Sequence, residues 1–265
     1  MNHSDSAAPE PAPQPSTASP ASGAWCDVDS ATELYASRFA GPIGEWLLQV
    51  QRDALCQLLT LPAGSTVLDL GGGHAQLIPI LLDAGYNVTL HGSCPQAQGR
   101  AARYVAQGEC RWTEGPLDKL PHGDESFDAV ISFRILSHVT DWHALIREMC
   151  RVARQMVLLD YPSLESVNRI SAALFGLKQQ VEKTTRPFTV FHDADVRTAL
   201  IEAGCVAHHE VRQYLFPMAA HRALQSPRLS GWLENVARAS GLTARAGSPV
   251  VIRGDKRHGP KESGT

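Results

Sequence analysis

The stretch Thr66 to Ala75 constrains the chain most. Thr66-Val-Leu-Asp-Leu70 is a short apolar run carrying one acid, three glycines follow, and Leu77, Ile80, Leu81 and Ala84 then recur at helical spacing. This pattern predicts a buried strand, a tight glycine turn and a helix, the arrangement by which α/β domains offer backbone N–H groups to a small ligand. Gly71 and Gly73 can take positive φ and let a ligand approach the main chain without a Cβ in the way. Asp69 falls near the carboxyl end of the strand, where open α/β sheets bind their ligands. The bare alternative is a tight turn with no ligand.

The rest of the chain reads as a frame around that turn. Residues 1–24 hold five prolines among Ala, Ser and Thr, with little to bury, and are expected to be a disordered tail. Residues 31–60 are helical in pattern, with Leu47, Val50, Ala54 and Leu58 on one stripe and a break at Gly41-Pro42. Further strands are expected at 87–91, 109–113, 129–133 and 156–159. Helices are expected at 95–106 and from Trp142 through Met149, the latter capped by Thr140 or Asp141. Alternating strands and helices indicate βαβ units and a parallel sheet covered on both faces. Beyond it, residues 163–191 read as mostly helical with a break at Arg186-Pro187. Asp193 is expected to cap a helix that Gly204 stops. A long strand (206–216), a helical stretch (218–242), a last strand (249–253) and a charged tail (256–265) complete the chain.

A net charge of −3 and a pI near 6.4 argue against an electrostatic nucleic-acid binder. The six cysteines are scattered without metal-ligand spacing, so reduced thiols and no metal are expected. No apolar run approaches the roughly 20 residues of a membrane span, and the first residues lack a signal peptide's pattern, so a cytoplasmic location is expected. Neither a sustained heptad nor an exposed apolar stripe is evident, and the oligomeric state stays open.

Val67-Leu-Asp-Leu-Gly-Gly-Gly73 resembles the first motif of class I S-adenosylmethionine-dependent methyltransferases. Leu120-Pro, Ser126-Phe-Asp128, Val130-Ile-Ser-Phe133 and Leu136-Ser-His-Val139 resemble the fourth-strand region of their small-molecule branch, the type 11/25-like domains. The resemblance implies one domain over 25–255, with 31–60 as an N-terminal lid. It also implies a Rossmann-like seven-stranded sheet of order 3-2-1-4-5-7-6, its seventh strand antiparallel, with a helical insert between the last two strands. S-adenosyl-L-methionine would lie across the first two strands, with Asp69, Gly71, Gly72 and Gly73 at its methionine part. Also carried over are His91, Gly92 and Ser93 at the second strand's end, Leu117 near the adenine, Phe133, and Arg38 reaching the methionine carboxylate from the lid.

Three departures qualify this. Ala75 stands where a third glycine is usual. No carboxylate occurs in Leu90-His-Gly-Ser93, where the family has a ribose-binding acid, and Gly115-Pro116 replaces the family's Gly-Asp. His91 and Ser93 can still accept hydrogen bonds from a ribose, and Asp118 is the candidate substitute near the adenine. Neutral hydrogen bonds are about half as strong as charge-assisted ones, so weaker cofactor binding is expected.

Methyl transfer from a sulfonium is an in-line displacement that needs alignment above all, worth about 7–11 kcal/mol. The acceptor is expected to be a small molecule. His138, just past the fourth strand, is the candidate base or a residue packing over the cofactor. Arg134 is a candidate for an anionic substrate or the cofactor carboxylate, or else a surface ion pair. Asp160 and Tyr161 close the fifth strand on the same edge, where either could face the acceptor, with Tyr161 a candidate catalytic residue, and Tyr35 and Phe39 come from the lid. The Trp142 stripe reads as core. Substrate choice is assigned to 163–191 and 218–242, with Lys178, Lys183, Arg186, His192, His208, His209 and His221 as polar groups. Two other classes compete. A dehydrogenase fits less well, because the third glycine of G-x-G-x-x-G is missing. A non-catalytic binding or regulatory domain is favoured only by the missing carboxylates.

Overall fold

The computed structural model describes residues 27–166 and 188–257. The Pro-rich tail, the charged end beyond 257, and Lys178, Lys183 and Arg186 therefore lie outside the described residues, as does most of the stretch read as helical at 163–191.

Seven strands form one sheet: β1 (Thr66–Leu70), β2 (Asn87–Gly92), β3 (Arg111–Glu114), β4 (Phe127–Ser132), β5 (Ala153–Tyr161), β6 (Cys205–Arg212) and β7 (Val250–Lys256). Their order is β3-β2-β1-β4-β5-β7-β6, as the resemblance implies. The pairs β1/β2, β1/β4, β2/β3 and β4/β5 are parallel, and β7 runs antiparallel to both β5 and β6. The central strands are buried on both faces, which is why they read as continuous apolar runs rather than alternating ones. One layer packs Leu68, Val130 and Val157 under α5 (Trp142–Val152) and α6 (Asp193–Glu202). The other packs Val67, Ala129 and Leu158 under α2 (Gly41–Leu58) and α3 (Ile78–Asp83).

Local chemistry explains the element ends. Asp141, not Thr140, caps α5 by accepting the Ala144 N–H at 2.9 Å. The short α1 (Glu33–Ser37) stops before Ala40, whose extended backbone precedes Gly41-Pro42 at the first turn of α2, so the expected break is present. Asp128 accepts from the Thr66 N–H and hydroxyl at 2.9 Å, pinning β1 to β4 at their starts.

Three expectations need correction. The stretch 95–106 is not one α-helix: a 3-10 turn runs from Pro95 to Ala101 and only α4 (Ala102–Ala106) is α-helical. Gly99 breaks it, held at φ +40° with Ala31 so close that a Cβ would come 2.3 Å from its carbonyl oxygen. Asp193 does not cap its helix; it is the first helical residue, its carboxylate is paired with Arg212, and His192 holds the cap position. β6 ends at Arg212 rather than 216, because Tyr214 turns inward to donate to the Leu47 carbonyl at 2.6 Å.

The insert between β6 and β7 is three helices, α7 (Met218–Leu224), α8 (Pro227–Ala239) and α9 (Leu242–Ala246). Buried Glu234 anchors it, accepting from the N–H groups of Leu215 and Phe216 and facing His221 Nε2 at 2.9 Å.

Candidate active site

The carboxyl ends of β1, β2, β4 and β5 carry the residues singled out above. β1 runs into Gly71 at φ +73°, whose N–H donates to the His91 carbonyl at 2.8 Å. A Cβ there would stand 2.5 Å from Ile135 Cδ1, so space and backbone both demand glycine. Ala75 takes φ +60° where the resemblance expects glycine, at a cost of about 1 kcal/mol. Beneath the turn Asp69 is fully buried, and among the described residues neither carboxylate oxygen has a hydrogen-bond partner. Burial pushes its pKa up to about 8, so the carboxyl is mostly protonated at neutral pH.

The crevice over β1 and β2, where the resemblance puts the adenosine, is filled by the chain itself. Asp27, 1% exposed, accepts the Ser93 N–H at 2.8 Å and also the Ser93 hydroxyl. The Ala97 carbonyl lies against Gly73 so closely that a Cβ would be 1.7 Å from its oxygen, with the Ala31 methyl alongside. Gly71, Gly72, Gly73 and His74 are all buried. Gly92 has no room for a side chain, since a Cβ would stand 2.3 Å from the Trp112 ring. That is the physical reason no acid stands there. The His91 ring turns toward β3, with Nδ1 2.9 Å from the Thr113 hydroxyl and Nε2 3.1 Å from the Gly115 carbonyl. Burial lowers its pKa to about 4, so it is a neutral ring with both nitrogens committed. Leu117 and Phe133 are core residues in opposite layers, and Asp118 is exposed. Arg38 is also exposed, its guanidinium 5.3 Å from the Tyr35 ring.

At the ends of β4 and β5 there is an open cavity of about 170 Å³. Arg134, His138, Asp160, Tyr161, Tyr35 and Phe39 all line it, so the structure brings together the residues expected on this edge. Arg134 takes φ +63°, and its N–H donates to Asp160 Oδ1 at 2.5 Å. Its guanidinium donates to the side-chain oxygens of Gln51 and Gln76 and lies 4.2 Å from the Phe39 ring centroid. It is therefore an interior group, not a surface ion pair. Burial pushes Asp160 up to about 6, against the pull of Arg134. Tyr161 has a buried hydroxyl with no partner among the described residues, and burial raises its pKa, which disfavours it as a base. His138 is half-buried at the rim, its ring 5.6 Å from that of Phe188. Trp142 packs on the Phe191 ring at 5.2 Å, as core.

Sequence reasoning missed Asp27, Gln51 and Gln76. Gln51 had a signal, a polar residue on the apolar stripe of α2. Of the assigned histidines, His192 pairs with Glu165, His208 and His209 lie toward Glu210 and Asp255 on the β6 edge, and His221 is buried under the insert. Among the described residues no group of three His, Cys, Asp or Glu could hold a metal ion.

Comparison with known proteins bears on what this arrangement is. Residues 68–159 match the family model of a methyltransferase domain. The demethylmenaquinone methyltransferase of Roseiflexus castenholzii is 36% identical over 113 residues, covering 39% of this chain and 44% of that protein. The chain thus spans less than half the length of the curated relatives it matches. Among solved structures, a chain of the complex between the Haloferax volcanii Trm112 methyltransferase activator and a methyltransferase superposes with a TM-score of 0.62 at 18% identity, covering 88% of this chain and 98% of that one. A Thermotoga maritima S-adenosylmethionine-dependent methyltransferase gives 0.60 at 15% identity, covering 88% and 100%. At such identities these two likenesses establish the fold. Together with the glycine turn and the strand order, the family match identifies residues 68–159, the stretch from β1 to β5, as a methyltransferase domain.

Proposed function

We propose that the protein is an S-adenosylmethionine-dependent methyltransferase acting on a small-molecule acceptor held in the cavity at the ends of β4 and β5, and that residues 25–255 form its single domain. The observation that carries this is the family match, which spans both the glycine turn and the fourth strand. The residues fit the cofactor's methionine end: Gly71 is left-handed, and Asp69 beneath it has two oxygens without a hydrogen-bond partner among the described residues. They fit the adenosine end only once Asp27–Ala31 withdraws from the crevice.

When bound, the cofactor supplies an electrophilic methyl group. The chain supplies alignment. Arg134, held by two glutamine oxygens and a ring face, presents its remaining N–H donors to a polar group of the acceptor. Tyr35, Phe39, Tyr214 and Phe188 enclose the acceptor's apolar body. His138 sits at the rim, where it can take a proton from an acceptor that must lose one.

A second reading has its own support. The filled crevice and the absent acid at Gly92 favour a non-catalytic domain that keeps the fold without the cofactor. Calorimetric titration with S-adenosylhomocysteine, beside NADH, separates the readings. Binding of the first alone supports methyl transfer, no binding of either favours the non-catalytic domain, and NADH alone would sink both. A metabolite screen for a mass gain of one methyl then identifies the acceptor.

A further inference from the structure

The sequence shows no exposed apolar stripe, yet the folded insert has one. Seven of the eleven large exposed hydrophobics among the described residues fall between Phe216 and Leu242. Helix α8 is inverted relative to an ordinary surface helix. It turns Ser230, Glu234 and Ala237 inward and Leu229, Trp232 and Val236 outward, with Trp232 61% exposed. Leu242 on α9 extends the same exposed apolar set. A helix whose large apolar side chains face out is built to be covered.

Charge decides what covers it. Residues 217–247 contain four arginines and a single acid, Glu234, which is fully buried. The exposed charge of the insert is therefore guanidinium alone, set beside aliphatic and indole side chains and a few neutral polar ones (Gln225, Asn235, Ser240), in a chain whose net charge is −3. Two copies packed through this face would bring like charges together. An anionic lipid surface offers acyl chains to Leu229, Trp232 and Val236 and headgroup charge to Arg228 and Arg245, both exposed.

We propose that α8 and α9 seat the protein on the surface of an anionic membrane, without crossing it. Among the described residues no helix is long and apolar enough to span one. Met218, at the start of α7, belongs both to this exposed set and to the cavity lining, and Arg222 of α7 lies 5.6 Å from the ring of Phe39, another lining residue. A protein seated this way holds the cavity mouth beside the lipid, within reach of an apolar molecule dissolved there.

The test is co-sedimentation of the full chain with vesicles of phosphatidylcholine alone and of equal parts phosphatidylcholine and phosphatidylglycerol. The protein sediments with the phosphatidylglycerol vesicles, less so as salt rises. The double variants Trp232→Ser/Val236→Ser and Arg228→Ser/Arg245→Ser each lose about tenfold in partition. All four positions are exposed, so circular dichroism and melting temperature stay as in the parent. Failure to sediment with either vesicle overturns the assignment, as does equal binding to both. Parent-like binding by the two double variants overturns it as well. So does a concentration-dependent doubling of mass that Trp232→Ser/Val236→Ser abolishes in the absence of lipid binding, which would make a second copy the occupant.

Discussion

Asp27 latches the crevice shut, and cutting that latch tests whether the proposed cofactor enters there. Its carboxylate accepts two hydrogen bonds from Ser93, one from the main chain and one from the hydroxyl. Asp27→Ala removes both. A hydrogen bond contributes about 1 kcal/mol net once water competes for the groups, so closing the segment loses about 2 kcal/mol. If Asp27–Ala31 must leave before the adenosine enters, apparent affinity is reduced by the fraction of molecules that are open. A 2 kcal/mol shift then tightens S-adenosylhomocysteine binding about 30-fold. Calorimetry on the parent and on Asp27→Ala reads this directly, and Ser93→Ala, which keeps the main-chain bond, should give roughly half the effect in free energy. The melting temperature without ligand should fall while affinity rises, a combination that misfolding cannot produce. Unchanged affinity would show that the segment does not compete with the cofactor. Weakened affinity would show that Asp27 itself holds the ribose, and would refute the latch.

Gly73→Ala should destabilise by roughly 3 kcal/mol, because its Cβ would enter the Ala97 carbonyl, and chemical denaturation measures this. Asp69 has a folded pKa of about 8 against 3.8 when unfolded, so its protonated form is the one the fold favours. Its contribution is therefore fully present below about pH 4 and is lost as pH rises toward 8, on the order of 5 kcal/mol in all. Asp69→Asn, denatured in urea at pH 5 and pH 8, should flatten that fall; an unchanged slope contradicts the assignment. Glu234→Ala should cost about 3–5 kcal/mol, since it strands two main-chain N–H groups and His221 in the interior. Loss of less than about 1 kcal/mol in a thermal melt would mean the insert is anchored elsewhere.

What the sequence disclosed was local or motif-borne. Thr66 to Gly73 could be placed because apolar content and glycine act over a few residues, and α5 because Leu145, Ile146 and Met149 share a face. The outer strand order came from the resemblance alone, since β7 pairs with partners distant in sequence. The closed crevice was illegible for the same reason. It depends on Ala31 meeting Gly73 and Gly99, and on Asp27 meeting Ser93, contacts between small or polar residues that leave no periodic trace. Gly99 inside a helical pattern was the one hint. Asp193 misled because its identity suits a cap, while Arg212 across the fold claimed its carboxylate. Arg134 was placed on the right edge, but its amide partners come from α2 and from the segment before α3, which no spacing connects.

The position of β7 carries a consequence for how the protein is made. β7 is wedged between β5 and β6, and among the described residues it is the only strand that pairs with β6. Until Val250–Lys256 has left the ribosome, β5 has one bare edge and β6 has no partner. At about 5–20 residues per second, the interval between Tyr161 and Val250 lasts several seconds. The edge of a buried apolar strand is thus open to wrong partners for that long, and the sheet closes in a single late step when β7 slots in.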